Sequence, residues 1–284
     1  MAVNVTFSGN PLTLVGRKIA VGQVAPDFSV VSTDLKEARL TDFTGKIKMI
    51  SSFPSLDTPV CDLQVKEFNK KAAGLSADII VIGISKDLPF AVKRFCSANE
   101  IKNEVVFSDY KTGSFGINYG LLIKELNLLS RAALIIDKAG ILRYMQIAPE
   151  LTKPLDYAQV LSKLDEVAKD PGNAAAGGAQ VLKCKPCEGT VDALAKDKVE
   201  KLIASHRGWE LVEDKKLVKE FKFKDFIEAK YFLDLISVIS QEQGHHPNLS
   251  LIYNKLKVTL TTHASGGLTD NDFIMASIID ELEN

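Results

Sequence analysis

The chain has 284 residues, 46% of them hydrophobic and 25% charged, with a formal net charge of −1. That length exceeds one ordinary domain, and the near-neutral balance gives no electrostatic reason to expect nucleic acid or a membrane surface as a partner. Four cysteines, Cys61, Cys96, Cys184 and Cys187, are too few for a secreted disulfide framework; with no signal-peptide pattern and no apolar run long enough to span a bilayer, a cytoplasmic protein is expected, its cysteines serving catalysis, redox work or metal.

Taken in order, residues 3 to 14 alternate Val3, Val5, Phe7 and then Leu12, Leu14 around Gly9-Asn10-Pro11, the pattern of a β-hairpin. From Phe28 to Val167, strand-like and helix-like runs alternate, as in an α/β domain. Ile47 to Phe53 reads as a buried strand, after which Pro54 and Pro59 hold a loop out of helical geometry until a helix begins, with Leu63, Phe68 and Ala72 on one face and Glu67 and Lys71 as an i, i+4 pair. Cys61 falls in the first turn of that helix, where free amides and the positive dipole end favour a thiolate nucleophile. Thr58, three residues earlier, can offer its hydroxyl to the sulfur or to a substrate.

Asp78 to Ser85 is nearly all branched and apolar, a central strand. The helix after it has Asp87 as its cap and Pro89 in its first turn. Cys96 lies late in this helix, near the negative dipole end, so the two cysteines are electrostatically unequal. Arg131 opens the strand that runs to Asp137, where a permanent cation can reach the nucleophile end of the sheet. A turn at Asp137-Lys138-Ala139-Gly140 and a helix from Tyr157 to Val167 close the domain, giving a first domain over 1–168. Residues 169–182 have the small-residue content of a flexible linker, and a second domain occupies 183–284.

Several segments of the first domain resemble one family. Pro54-x-x-x-Thr58-x-x-Cys61 after a strand resembles the peroxidatic motif of the peroxiredoxins, and Ser55 to Asp62 is similar to their thiol peroxidase branch. Ala25-Pro26-Asp27-Phe28, Leu88-Pro89-Phe90-Ala91 through Arg94-Phe95-Cys96, Phe115 to Gly120 and Leu128 to Asp137 continue the likeness. The resemblance implies a thioredoxin-like fold and reduction of hydrogen peroxide or organic hydroperoxides without a cofactor, with thioredoxin as reductant and a homo-oligomeric assembly. It implies that Cys61 attacks the peroxide, Cys96 condenses with the resulting sulfenic acid, Arg131 and Thr58 stabilise the charges, and Pro54 borders the substrate. Because the cysteines sit in separate helices, their bonding requires local unwinding.

In the second domain, helix signals at Lys196–Ser205, after Asp225 and after Thr269-Asp270-Asn271-Asp272 enclose two pairs of strands, 209–212 with 217–223 and 249–253 with 256–262. The order α-β-β-α-β-β-α predicts an α+β fold, an antiparallel sheet with helices on one face. Alternation from Lys255 to His263 sets His263 on the face away from the core. Gly244-His245-His246-Pro247, Tyr253, Thr262-His263, Gly266 to Thr269, Trp209 and Phe223 to Phe226 resemble the pterin-4a-carbinolamine dehydratases across essentially all of 183–284. That likeness implies metal-free dehydration of a 4a-hydroxytetrahydropterin, with His245, His246 and His263 as acid and base and with Trp209 and Tyr253 at the substrate. Gln241 stands where relatives often place an acidic residue, four before His245, with Glu242 beside it. Three histidines also make a zinc donor set, although the likeness extends far beyond them. Cys184-Lys185-Pro186-Cys187 fits a redox pair, half a zinc site or a family trait. The rival to a second enzyme is a dehydratase-like module for dimerisation or partner binding.

Overall fold

The computed structural model describes residues 5–170, 182–185 and 192–283 and divides into two compact units, Met1–Val181 and Leu182–Asn284. Val3, most of the expected linker, and Pro186 and Cys187 of the C-x-x-C segment lie outside the described residues.

The first unit opens with a hairpin of β1 (Val5–Phe7) and β2 (Asn10–Leu12). Its turn is Ser8-Gly9, both with positive φ (51° and 81°), rather than the expected Gly9-Asn10-Pro11. The left-handed pair suits a two-residue hairpin, and Asn10 and Pro11 are free to join the strand. Next come β3 (Leu14–Val15), β4 (Ser29–Val31), β5 (Glu37–Arg39), β6 (Ile47–Ser52), α1 (Pro59–Ala72), β7 (Ile79–Ser85), α2 (Pro89–Ala98), β8 (Glu104–Ser108) and α3 (Ser114–Asn118). The unit finishes with β9 (Leu122–Ile123), β10 (Leu128–Leu129), β11 (Ala132–Ile136), β12 (Leu142–Ile147) and α4 (Tyr157–Lys169).

Seven strands form the main sheet in the order β12-β11-β6-β7-β8-β4-β5, with β6, β7 and β8 parallel and the outer pairs antiparallel. Both faces are covered, which is why β7 is apolar almost throughout and why β6 is buried along its whole length, its Lys48, Ser51 and Ser52 included. Ile50, Ile82 and Leu134 pack with Phe28 and Phe115 on one face, and Met49, Val81 and Ile135 with Phe68, Val160 and Leu164 on the other. Toward the carboxyl end of β6, Phe53, Leu56, Cys61, Val65, Val92 and Val106 form a further cluster between α1, α2 and the sheet.

Two local expectations fail here. Leu63 is 57% exposed, because the inward stripe of α1 is Cys61, Gln64, Val65 and Phe68. Asp87 does not cap α2; the capping position is Leu88, with no side-chain cap bond.

The second unit follows the expected order: α5 (Lys196–Ile203), β13 (Glu210–Val212), β14 (Lys216–Lys222), α6 (Phe226–Gln243), β15 (Asn248–Ile252), β16 (Lys255–Leu260) and α7 (Asp270–Glu283). Its antiparallel sheet runs β13-β14-β16-β15. Leu217, Phe221, Leu256, Val258 and Leu260 of the sheet are buried, as are Phe232, Ile236, Ile239, Phe273 and Ile279 of α6 and α7. Asp225 caps α6 by accepting from the Glu228 backbone N–H at 2.9 Å. Gly244, at φ 64°, ends that helix in the left-handed conformation that glycine adopts without strain. The strand expected to run to Thr262, with His263 continuing its alternation, stops at Leu260, where its ladder with Leu217 ends; His263 instead begins a short 3-10 turn. Among the described residues no helix is long and apolar enough to cross a membrane.

Candidate active sites

In the first unit the chain leaves β6 through buried Phe53 and Pro54 and enters α1 at Thr58, which is extended (φ −109°, ψ 141°), with Pro59 as the first helical residue. Cys61 is therefore the third residue of α1, and it is fully buried. The Thr58 hydroxyl lies 2.7 Å from Cys61 Sγ and 3.1 Å from the Ser55 carbonyl. Arg131 directly precedes β11, whose register sets Ala132 opposite Ser52 at the end of β6. That pairing brings the guanidinium level with the loop. Its Nη2 donates to Cys61 Sγ at 3.3 Å and to the Leu151 carbonyl at 2.9 Å, Nε donates to the same carbonyl at 3.1 Å, and Nη1 donates to Gln64 Oε1 at 2.6 Å. Gln64 is fixed in turn by Ser51 Oγ (2.7 Å) and the Ser52 carbonyl (3.2 Å).

Arg131 is 1% exposed, and a buried cation is costly unless a compensating charge is near. Of the groups it meets, the Cys61 sulfur is the one able to carry a negative charge. A fixed cation and a hydroxyl on one sulfur suit a displacement in which charge moves from sulfur to a departing oxygen.

Asp87 holds the loop from the other side. Its carboxylate accepts from Ser55 Oγ (2.7 Å), the Leu56 backbone N–H (2.8 Å) and Ser85 Oγ (2.8 Å), while Ser108 Oγ donates to its carbonyl. Asp87, two residues before α2, thus ties the Cys61 loop to the ends of β7 and β8. Cys96 lies half-buried in α2 and is a free thiol, as is Cys61. Burial, with Glu104 adding to it, pushes the Cys96 thiol up to about 11.

In the second unit His245 and His246, just before β15, and His263, just after β16, lie at one end of the sheet, while His206 bonds to the Phe273 carbonyl and Ser277 of α7. His245, which follows Gly244, is buried, and its Nε2 lies 2.8 Å from Asp272 Oδ1. Asp272 is fully buried, and its Oδ2 accepts from Thr262 Oγ1 and from the Thr269 backbone N–H, both at 2.8 Å. His263 follows Thr262 and is exposed; His246 is exposed, with Nε2 3.3 Å from Gln241 Oε1. Among the described residues no three His, Cys, Asp or Glu side chains converge as metal ligands.

Neither aromatic residue expected at the substrate joins the histidines. Trp209 is 5% exposed, packs edge-on to Phe221 and donates its indole N–H to Asp280 Oδ1 at 3.0 Å, so core packing and a carboxylate occupy both its face and its polar edge. Tyr253 is 67% exposed in the turn after β15, at φ 50°. His246 precedes that strand at its opposite end, and the five-residue strand alone separates the two by roughly 17 Å at about 3.3 Å per residue. Cys184 is buried, taking its backbone N–H to Gln243 Oε1 at 2.8 Å, and Lys185 and Asn271 bond reciprocally at 2.9 and 2.8 Å. The described half of the C-x-x-C segment thus seals the junction of α6 and α7.

Comparison with known proteins decides the family. The family model described as Redoxin matches residues 20–161. Thiol peroxidases of Oceanobacillus iheyensis and Bacillus subtilis are each 44% identical, over 57% and 56% of this chain and 99% and 98% of their own length. The chain belongs to the thiol peroxidase family. Its solved neighbours include a peroxiredoxin-like protein from Aquifex aeolicus at 41% identity and TM-score 0.56, covering 59% of this chain and 98% of the other. The fold of the first unit is accordingly thioredoxin-like. Residues 192–282 match a second model, pterin 4 alpha carbinolamine dehydratase, so this thiol peroxidase carries a dehydratase-family domain fused behind it.

Within this thiol peroxidase, Thr58 and Arg131 both contact the Cys61 sulfur, Pro54 is buried in the same loop, and Cys96 packs against the apolar cluster that contains Cys61. Three further residues escape a reading of the sequence alone. Gln64 carries no signal beyond being a polar residue on an apolar stripe, Asp87 mimics a helix cap, and Asp272 is the last residue of the apparent capping box Thr269-Asp270-Asn271-Asp272. Asp272 does perform that capping bond to Thr269, with its other oxygen on His245. The carboxylate partner missing at Gln241 is thus supplied from α7.

Proposed function

We propose that the first unit reduces hydrogen peroxide or organic hydroperoxides in the cytoplasm by a two-cysteine cycle. The Cys61 sulfur attacks the terminal peroxide oxygen, the O–O bond breaks, Cys61 becomes a sulfenic acid, and the departing oxygen leaves as water or alcohol on taking up the thiol's proton. Cys96 then displaces hydroxide from that sulfur as water, giving a disulfide that a dithiol such as thioredoxin reduces. The arrangement of Thr58 Oγ1 at 2.7 Å and Arg131 Nη2 at 3.3 Å from Cys61 Sγ carries this reading. Its test is peroxide consumption with thioredoxin and its reductase. Wild-type protein turns over, Cys96→Ser consumes one equivalent and stops, and Cys61→Ser consumes none. Fast first oxidation lost only in Cys96→Ser reverses the assignment.

For the second unit we propose dehydration of 4a-hydroxytetrahydropterins, in which the 4a-hydroxyl leaves with a donated proton and N5 loses one. His245 braced by Asp272 supports this, since a carboxylate on one ring nitrogen fixes the ring's orientation and tautomer. A second reading, an assembly module without catalysis, is favoured by the free edge of β15, where Ile252 and Tyr253 are 71% and 67% exposed. Synthetic 4a-hydroxytetrahydropterin offered to the full chain and to its His245→Ala variant separates the two. Acceleration lost in the variant supports the enzyme; no acceleration by either, with an oligomer that Tyr253→Lys disperses, supports the module.

A further inference from the structure

Glu104 begins β8 and is 4% exposed, and neither carboxyl oxygen has a hydrogen-bond partner. Buried polar atoms without partners are rare, and one in a working protein calls for a physical reason. The space it occupies is made by a glycine. A Cβ on Gly83 of β7 would stand 2.6 Å from Glu104 Oε1, so any other residue there would require the carboxyl to move from its present position. Strand alternation sends Glu104 to the same side of β8 as Val106, the side covered by α1 and α2.

The groups around it identify what it can influence. From α2 the ionisable neighbour is Cys96, whose thiol feels Glu104 electrostatically. Cys61 of α1 lies in the same apolar cluster, with its charge partner Arg131 beyond it. β7 presents Val81 and Gly83, which do not titrate, and the charged groups of the preceding loop, Glu100 and Lys102, are exposed and paired with each other at 3.9 Å. In this setting desolvation raises the Glu104 carboxyl well above its usual range, which favours its neutral form while α2 is closed. The helix above it is weakly anchored: Pro89 and Val92 are its buried residues, while Phe90 is 67% exposed. An element that buries so little is the one that opens at low cost.

We propose that Glu104 is a positioning residue for the resolving step: a buried acid beneath α2 that ionises when the helix opens, and so drives release of the Cys96 thiol toward oxidised Cys61. This rests on the two-cysteine cycle proposed above. In the closed state Glu104 is protonated and Cys96 is a packed thiol. Opening of α2 returns the carboxyl to water, where it gives up its proton. The Cys96 sulfur then forms the S–S bond with its own electron pair, the S–O bond of the Cys61 sulfenic acid breaks, and the departing hydroxide leaves as water with the thiol proton. Reduction of the disulfide and reclosure of α2 return a proton to Glu104. The sign follows from linkage. A carboxyl with a raised closed-state value favours the closed form fully below its ordinary range, and loses that hold as pH rises toward the closed-state value. Opening therefore gains about tenfold per pH unit across that interval.

The test is quench-flow on the full chain. Reduced protein receives one equivalent of hydrogen peroxide at pH 5.5 to 8.5, and the Cys61–Cys96 disulfide is timed by alkylation and intact mass. In wild type two proton losses, from Glu104 and from the Cys96 thiol, steepen the profile. Glu104→Gln should lower the slope of log rate against pH by about one. Glu104→Leu, which fills the space with an apolar group, should slow the disulfide step at least tenfold at pH 7 and raise Cys61 sulfinic acid at excess peroxide. The first reaction with peroxide should be unchanged in both. Folded variants that match the wild-type disulfide rate and slope overturn the proposal alone. Wild-type protein that forms the sulfenic acid but never this disulfide overturns the two-cysteine cycle and the proposal with it. If either variant fails to fold, the wild-type slope still decides, since a slope no steeper than one excludes a second proton.

Discussion

Replacing Asp87 by asparagine changes one functional group in the brace that holds the Cys61 loop, and the structure gives the size of the effect. Asparagine keeps the shape. Its carbonyl oxygen can face the Leu56 N–H and Ser85, and Ser55 can reverse its hydroxyl to accept from the amide. What is lost is the charge on three hydrogen bonds of 2.7 to 2.8 Å. Bonds to charged groups contribute about 1.5–3 kcal/mol against about 0.5–1.5 for neutral ones, so losing the charge on three of them costs about 3–4.5 kcal/mol before solvent is counted. Asp87 is partly exposed, and solvent brings the figure to about 1–2 kcal/mol, or about 5–30-fold in the opening equilibrium of the loop. Hydrogen exchange at the Leu56 amide reads that equilibrium directly. Asp87→Asn should raise its exchange rate about 5–30-fold, and Asp87→Ala, which removes the acceptor altogether, should raise it further. The rate of Cys61 with peroxide should fall in the same order, because an open loop carries Thr58 away from the sulfur. Unchanged Leu56 protection in Asp87→Ala would refute the idea that this carboxylate holds the loop.

Arg131→Lys should lower kcat/KM for peroxide by about 10²–10³, since an ammonium cannot serve Gln64, Leu151 and Cys61 together as the guanidinium fork does; steady-state peroxidase assays check this. In a Cys61→Ser background the remaining Cys96 thiol should alkylate with a midpoint near pH 11 when folded and near its ordinary 9.0 when unfolded. Since the folded value is the higher, Cys96 leaves stability unaffected below about pH 9 and costs stability as pH rises from there to about 11, which alkaline denaturation curves would register. Asp272→Asn should slow pterin dehydration about 10–100-fold, and His245→Ala by about 10²–10⁴, with peroxidase turnover unchanged as the internal control.

Where a site is local in the chain, its chemistry is readable from the chain. Thr58 and Cys61 are three apart at a helix start, so the hydroxyl meets the sulfur whatever the rest of the fold does. Arg131 reaches them through the β11–β6 register, a long-range pairing that residue order alone leaves open and that a family likeness supplies. Misreadings arise where one side chain satisfies two local rules. Asp87 before Pro89 looks like a cap, yet its carboxylate points back to a loop some thirty residues earlier. Thr261 and Thr262 prolong the alternation that appears to carry His263 into the strand, but the β14–β16 ladder ends at the Leu217–Leu260 pair and Thr262 bridges Gly267 instead. Trp209 beside the second-unit motifs reads as a binding aromatic until Asp280, far along the chain, takes its N–H.

Glu104 is the sharpest instance of the same limit. A glutamate at the start of a strand, after an exposed polar loop, reads as solvent-facing, and the alternation of β8 does not say which of its faces is covered. The determining residue is Gly83 on the neighbouring strand, which in its own sequence context looks only like a weak point in an apolar run. Each residue is ordinary alone. Paired across the sheet they form a carboxyl-sized space beneath the helix that bears Cys96, and an acid without partners in that space raises the energy of the closed helix relative to the open one as pH rises. That this chain keeps a glycine and an acid there, on the side of the sheet that holds both thiols of the first unit, is the reason to look for their effect in the timing of the disulfide step.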